Sequence, residues 1–375
     1  MKHRHWSRLA LVALAAAACG AAAAPATAAP GPGPAATATA YLQARAAGIT
    51  ATDPGAALAT WTTPAGRLAA SERAIARGTA LRAAELGHQI DSVVSEATVL
   101  DAVPGTTRDT ATVSAHVVTT IVWHAAGPER STEASGIDHI VSLQRVAGTW
   151  QVVGDTYLDD MTPAYLEAAG ASPAAVRGAV RRLERVTARP VGTSGSELTW
   201  VAGTSGIRRY IDILTYDRDA AASYADRYAL SYNPGYVRFG ADCANFASQG
   251  GRAGGMPVTS GDYSNGWWYN GKGTSSTSDD IYSLSWINVT KQMGYWTGSR
   301  TDWVSSINSL GKGDFVYYDW SGDGFWDHVA VVVGTNSAGQ KVVDAHTTDY
   351  YRTYWKMGYS STKYKFARVR AQWVV

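Results

Sequence analysis

The chain has 375 residues, of which 46% are apolar and 17% charged, a globular composition long enough for two folded units. Its formal net charge of +2 gives no electrostatic case for nucleic-acid binding. Past the N-terminus no apolar run reaches the length of a membrane span, and two cysteines are too few for a disulfide framework.

The N-terminus reads as an export signal over residues 1–28. Lys2, His3, Arg4, His5 and Arg8 form a basic head, residues 9–24 an apolar stretch, and Ala26-Thr27-Ala28 a small-residue cleavage site. Cys19 offers a lipid anchor instead, but alanine fills the three positions before it, where a larger aliphatic residue is expected. The expected mature protein is secreted, extracellular or cell-wall associated, with no integral span.

Residues 29–37 are rich in Pro, Gly, Ala and Thr and read as a disordered leader. From 38 to 160 an accessory α+β domain is expected. Helical spacing covers 40–47 and 64–82, and β-branched alternation covers 90–103, 110–125 and 137–157, with a hairpin turn at Gly148-Thr149. His116, His124 and His139 fall on separate strands without metal-ligand spacing, so no metal site is expected. Residues 161–205 read as a helix over 163–189, with Arg177, Arg181, Arg182 and Arg185 on its solvated face, then a linker from Arg189-Pro190 onward. Beyond residue 199 the composition shifts: ten of the 14 tryptophans lie there, which places a second domain over 206–375.

Once the signal is removed, Cys243 is the only thiol. A helix is expected to start there, after Asp242 as N-cap, and to stop at Gly254-Gly255-Met256-Pro257. At a helix start the dipole and free N–H groups stabilise a thiolate, and the same N–H groups can bind an oxyanion. Asp242 and this helix start form the expected oxyanion region. A cysteine nucleophile needs a base, and His328 opens an apolar strand over 328–334 after the polar loop 319–327. The next strand, 341–345, ends at His346. By strand alternation Asp344 and His346 share a face, and either could hold the His328 ring in its useful tautomer. His346 is preferred for its place at the strand end.

The blocks Tyr216-Asp217-Arg218, Asn233-Pro234-Gly235-Tyr236, Asp242-Cys243-Ala244-Asn245-Phe246-Ala247-Ser248-Gln249, Trp267-Trp268-Tyr269, Gly313-Asp314 and Asp327-His328-Val329-Ala330 resemble the family called the putative amidase domain. That family is related to the NlpC/P60 and CHAP branches of the papain-like cysteine peptidases and amidases. The resemblance covers about 210–375. It implies a papain-like fold, with the nucleophile helix packed on an antiparallel sheet, and a triad falling on Cys243, His328 and His346. It also implies acyl transfer through a thioester, without metal or cofactor. The expected activity is hydrolysis of amide bonds by a monomer, with peptidoglycan-type peptide as the candidate substrate. A Cys-His acyltransferase and a non-catalytic envelope-binding module on the same scaffold remain open. Trp267, Trp268 and Tyr269 are candidates for a substrate groove or for core, and the loop at 319–327 resembles the start of a calcium loop but lacks its last acidic ligand.

Overall fold

The computed structural model describes residues 32–62, 67–187, 199–200, 213–271 and 276–374. The expected export signal, Cys19 and most of the expected linker lie outside the described residues.

The N-terminal half contains helices α1 (Pro34–Ala47), α2 (Pro54–Ala59) and α3 (Arg67–Glu85). Strands β1 (Gln89–Pro104), β2 (Thr110–His124), β3 (Arg130–Val146) and β4 (Thr149–Tyr157) follow, then helices α4 (Thr162–Ala168) and α5 (Pro173–Thr187). Helix α1 begins at Pro34, inside the expected leader, because proline is pre-shaped for a first turn. It buries Ala38, Tyr41 and Leu42, one helical face, on the inward-alternating Val113, Ala115, Val141, Leu143 and Val152. The hairpin expected within 137–157 is present, with its turn centred one residue earlier than Gly148-Thr149. Ala147 (φ 48°) and Gly148 (φ 83°) close it, pairing Val146 with Thr149, as two-residue turns of this hand require. The single helix expected over 163–189 breaks into α4 and α5 near Gly170, whose φ of 74° ends a helix at low steric cost.

The C-terminal half comprises β5 (Thr199–Trp200), β6 (Ile213–Thr215), α6 (Arg218–Tyr228), α7 (Cys243–Ala253), β7 (Gly261–Asp262), β8 (Tyr269–Asn270) and β9 (Ile281–Tyr282). After these come α8 (Leu284–Ile287), α9 (Val289–Trp296), β10 (Thr301–Val304), β11 (Phe315–Asp319), β12 (His328–Thr335), β13 (Lys341–Ala345), β14 (Asp349–Tyr354), β15 (Lys363–Val369) and β16 (Gln372–Val374).

One ten-stranded sheet runs β1-β2-β3-β14-β13-β12-β11-β15-β10, with β4 also on β3, and its pairings are antiparallel. The architecture is α+β. Strand β3 is long enough to pair with β4 along 139–146 and with β14 along 134–136. The sheet therefore crosses from the N-terminal into the C-terminal half, and the chain leaving β4 arrives beside β14.

Strand alternation sorts the C-terminal strands onto two faces. Phe315, Tyr317, Val329, Val331 and Val333 pack with Cys243, Phe246 and Ala247 of α7. Val316, Tyr318, Ala330 and Val332 pack with Met161, Ala164, Val180 and Leu183 of the α4–α5 segment. The start of β12 is thus covered from both sides.

Candidate active site

Helix α7 begins at Cys243, as expected, and Asp242 occupies the N-cap position. Its carboxylate does not cap the helix, however. Oδ1 accepts from the Phe239 N–H and the Asn245 side-chain amide, both at 2.9 Å, and Oδ2 pairs with His346 Nδ1 at 2.8 Å. These partners hold Asp242 in a helix-like conformation (φ −104°, ψ −3°), from which no side-chain cap forms. The Asp242 N–H donates to the Thr347 hydroxyl at 3.0 Å. Thr347 has φ 97°, a left-handed conformation that is rare and strained for a β-branched residue.

Cys243 is 2% exposed, and its thiol donates toward the Asp327 carbonyl at 3.9 Å. The sulfur therefore lies against the backbone at the start of β12. Burial pushes the Cys243 thiol up to about 12, while the Val329 backbone and the Thr347 hydroxyl favour the thiolate less strongly. The thiol is protonated at neutral pH in this conformation.

His328 is 1% exposed and is paired in register with Tyr318. Its ring centroid lies 5.4 Å from those of Tyr318 and Trp320. Among the described residues neither ring nitrogen has a hydrogen-bond partner, and burial lowers the imidazole to about 3. No hydrogen bond joins the ring to Cys243. The Asp160 carboxyl faces the ring, with Oδ2 3.7 Å from Nδ1.

His346 and Asp344 are engaged elsewhere. His346 uses both nitrogens, Nδ1 with Asp242 and Nε2 with the Tyr228 carbonyl at 2.8 Å, and its ring stacks on Phe246 with centroids 4.0 Å apart. Burial opposes its charge, but the Asp242 hydrogen bond, together with Asp349 and the Tyr228 carbonyl, outweighs burial and raises its pKa. Asp344 Oδ1 accepts the Arg352 N–H at 2.6 Å. Neither residue bonds to His328.

The three groove candidates are core. Trp267 and Trp268 are 0% exposed and Tyr269 is 3% exposed. Trp267 donates to Ser248 of α7 at 3.0 Å, and Tyr269 accepts the Val237 N–H at 2.8 Å. Trp267 and Tyr269 pack in the cluster that braces α7, and Trp268 donates to the Asp262 and Asn265 carbonyls at 3.2 Å, which consumes the aromatic surface that a groove would present. In the 319–327 loop the Asp319 carboxylate accepts the N–H groups of Gly322 (2.7 Å), Asp323 (3.1 Å) and Gly324 (2.9 Å), so the turn is closed by backbone donors. His116, His124 and His139 each face an aspartate, Asp138, Asp91 and Asp155, at 2.7–2.9 Å. Among the described residues no group of His, Cys, Asp and Glu is arranged to hold a metal, and no helix is long and apolar enough to cross a membrane.

Residues 215–369 match the family model described as "Putative amidase domain". The chain is 32% identical over 145 residues to "Uncharacterized protein YhbB" of Bacillus subtilis (strain 168), covering 37% of this chain and 44% of that protein. It is 33% identical over 147 residues to "Uncharacterized protein YjcM" of the same organism, covering 36% of this chain and 31% of that one. The chain thus spans under half the length of these curated relatives. Among solved structures it is similar to the intermembrane space region of chloroplast protein ARC6, at 12% identity and a TM-score of 0.26 over 32% of this chain and 90% of that one.

Proposed function

We propose that residues 215–369 form a cysteine-dependent amide hydrolase on a papain-like scaffold of the NlpC/P60 kind. In this reading Cys243 is the nucleophile and His328 its base, and the protein is exported to act on peptide amides of the cell wall. The observation that carries the reading is the placement of Cys243. The one cysteine outside the expected signal opens α7 at a start with no side-chain cap, with its sulfur 3.9 Å from the Asp327 carbonyl, beside the residue that would serve as base. The uncapped first turn leaves backbone N–H groups for an oxyanion on the attacked carbonyl.

In the proposed cycle His328 takes the thiol proton, and the thiolate adds to an amide carbonyl. The imidazolium then protonates the departing amine, and the neutral ring activates water to release the acyl group. His328 is in register with Tyr318, which packs on the α4–α5 side, while Cys243 packs on the other face, so turnover requires the ring to swing round the start of β12 to within hydrogen-bond reach of Sγ and substrate to enter. The described conformation, with both groups buried and neutral, is a resting form. An amine in place of water would make the same machinery an acyltransferase.

Burial of Cys243 and His328 also favours a second reading, a binding module that retains the scaffold without turnover. The two separate experimentally. The full chain carrying Cys19→Ala, so that Cys243 is its one thiol, is treated with iodoacetamide across pH and incubated with purified peptidoglycan and simple amides, with and without added amine. The hydrolase reading expects alkylation faster than that of a free cysteine model and new amine termini that vanish in Cys243→Ala. Alkylation no faster than the model and no product would leave the binding module.

A further inference from the structure

The His328 ring is closed in by the Tyr318 and Trp320 rings on its own face of the sheet and by the segment that leaves β4. From that segment Asp160 reaches it. The two side chains are 1% and 3% exposed, and among the described residues His328 Nδ1, His328 Nε2 and Asp160 Oδ2 have no hydrogen-bond partner, nor does Nε1 of the neighbouring Trp320, which can only donate. Two buried polar groups left open toward each other at 3.7 Å, one a carboxylate and the other an imidazole, are costly unless they serve each other. Within the matched domain Asp242 pairs with His346, Asp344 accepts the Arg352 N–H through Oδ1 and Asp327 accepts the Trp320 N–H, and none of the three pairs with His328, whereas Asp160 does.

Asp160 is also held in place. Its N–H donates to the Thr348 hydroxyl at 3.3 Å, and Thr348 in turn donates to the Leu158 carbonyl at 3.3 Å. The neighbouring Asp159 accepts the Met161 N–H at 2.9 Å and the Tyr350 hydroxyl at 2.7 Å. The backbone is thereby tied to the start of β14, while the Asp160 carboxylate is left to face His328.

We propose that Asp160, from the N-terminal half and outside the family match, is the positioning residue for His328: its carboxylate accepts the Nδ1–H and leaves Nε2 as the nitrogen that takes the Cys243 proton. This rests on the reading of Cys243 and His328 given above. The balance is simple. The proton moves from Sγ to Nε2, giving a thiolate and an imidazolium, and the imidazolium forms beside a carboxylate that offsets its charge. Burial pushes the Asp160 carboxyl well up, with Asp159 and Asp327 adding to the effect, and lowers His328 on its own. A carboxylate–imidazolium contact is the arrangement in which each charge relieves the other's burial. The titratable groups that face the pair are Cys243 of α7, Tyr318 of β11, Tyr350 of β14, Asp159 beside it in sequence, and Asp327 before β12, on which Glu184 of α5 acts in turn.

The test is nitrogen-15 NMR of the full chain with labelled histidine, the His328 signals being assigned by their loss in His328→Gln. The proposal expects a protonated Nδ1 in the wild type. In Asp160→Asn the pH at which His328 becomes imidazolium should fall by about one unit or more, with Asp160→Glu recovering part of the change. A bare Nδ1 with Nε2 protonated across pH 5–9 in the wild type overturns the proposal, and this needs no variant to fold. An unchanged titration in a folded Asp160→Asn overturns it equally. The pH profile of Cys243 alkylation by iodoacetamide is recorded alongside. If His328→Gln leaves that profile unchanged, the reading of His328 as base fails, whatever the NMR shows for Asp160. If His328→Gln slows alkylation about tenfold and Asp160→Asn leaves it unchanged, Asp160 alone is excluded.

Discussion

The Asp242–His346 pair fixes the entry to the nucleophile helix, and removing it by His346→Ala has a cost that the structure allows to be worked out. The two side chains are 0% and 2% exposed. Loss of the imidazole leaves Asp242 Oδ2 without its partner, while Oδ1 keeps the Phe239 N–H and the Asn245 amide. Breaking a buried pair costs about 3–5 kcal/mol, and the two surviving donors place this case at the lower end, about 3 kcal/mol. The ring stack on Phe246 contributes about 1 kcal/mol more. The cost also depends on pH, in a direction that the raised pKa of His346 sets. Folding raises that pKa, so the stabilisation is fully present below the unfolded value of about 6.5 and is lost as pH rises through the folded value. The loss is about 1.4 kcal/mol for each pH unit that separates the folded from the unfolded value. Urea unfolding of wild type and His346→Ala at pH 6, 7, 8 and 9 reads the difference directly. Asp349, raised to about 6 by burial and held down in turn by His346, is coupled to the deleted ring, so both proteins are also compared in an Asp349→Asn background. The expected difference is about 4 kcal/mol at pH 6 and shrinks toward pH 9. A difference that stays level over that range would show that His346 is not charged in the fold, and the account of the helix entry would fail.

Cys243→Ala should abolish alkylation and turnover while moving the urea midpoint by no more than about 1 kcal/mol, since a buried thiol behaves as a small apolar side chain; a collapsed fold would instead show a structural role. Thr347→Val keeps the shape but removes the acceptor of the Asp242 N–H, and is expected to cost about 1–3 kcal/mol by thermal unfolding, whereas Thr347→Ser stays near wild type. Gly78→Ala in α3 would ordinarily gain about 1 kcal/mol of helix propensity. Here the added Cβ would collide with the Tyr165 carbonyl of α4, so calorimetry should show a lowered Tm; an unchanged or raised Tm would refute the close α3–α4 contact.

Local signals made several elements legible. The run 341–345 is a strand between the expected limits, and α7 starts at Cys243 and ends before Gly254-Gly255 because helix breakers act on their immediate neighbours. Gly148-Thr149 marked the hairpin turn, one residue past its centre at 147–148, because a turn glycine signals locally. Misreadings arose where a partner lies far along the chain. Asp242 has the composition of an N-cap, and a local rule cannot see that His346 takes its carboxylate instead. Trp267 and Trp268 suit a groove or a core equally well, and complete burial, for Trp267 behind α7, decides for core. Asp160 carried no signal at all: it is one of two adjacent aspartates after a strand, and its place beside His328 follows only from β3 pairing with β14.

That pairing changes what the N-terminal half is for. The segment His346–Thr348 is a hub with two sides. Through His346 and Thr347 it holds Asp242, and so the start of the nucleophile helix. Through Thr348 it holds Asp160, and so the carboxylate facing His328. The strain at Thr347, whose φ is 97°, falls at the residue between them, where the chain must present one hydroxyl to α7 and the next to the segment leaving β4. A backbone strained there is tolerated only if both contacts are made. Removing the N-terminal half would release one of them. A chain cut back to the matched residues 215–369 would keep Cys243 and His328 but lose Asp160, and with it the contact that holds Thr348 in place.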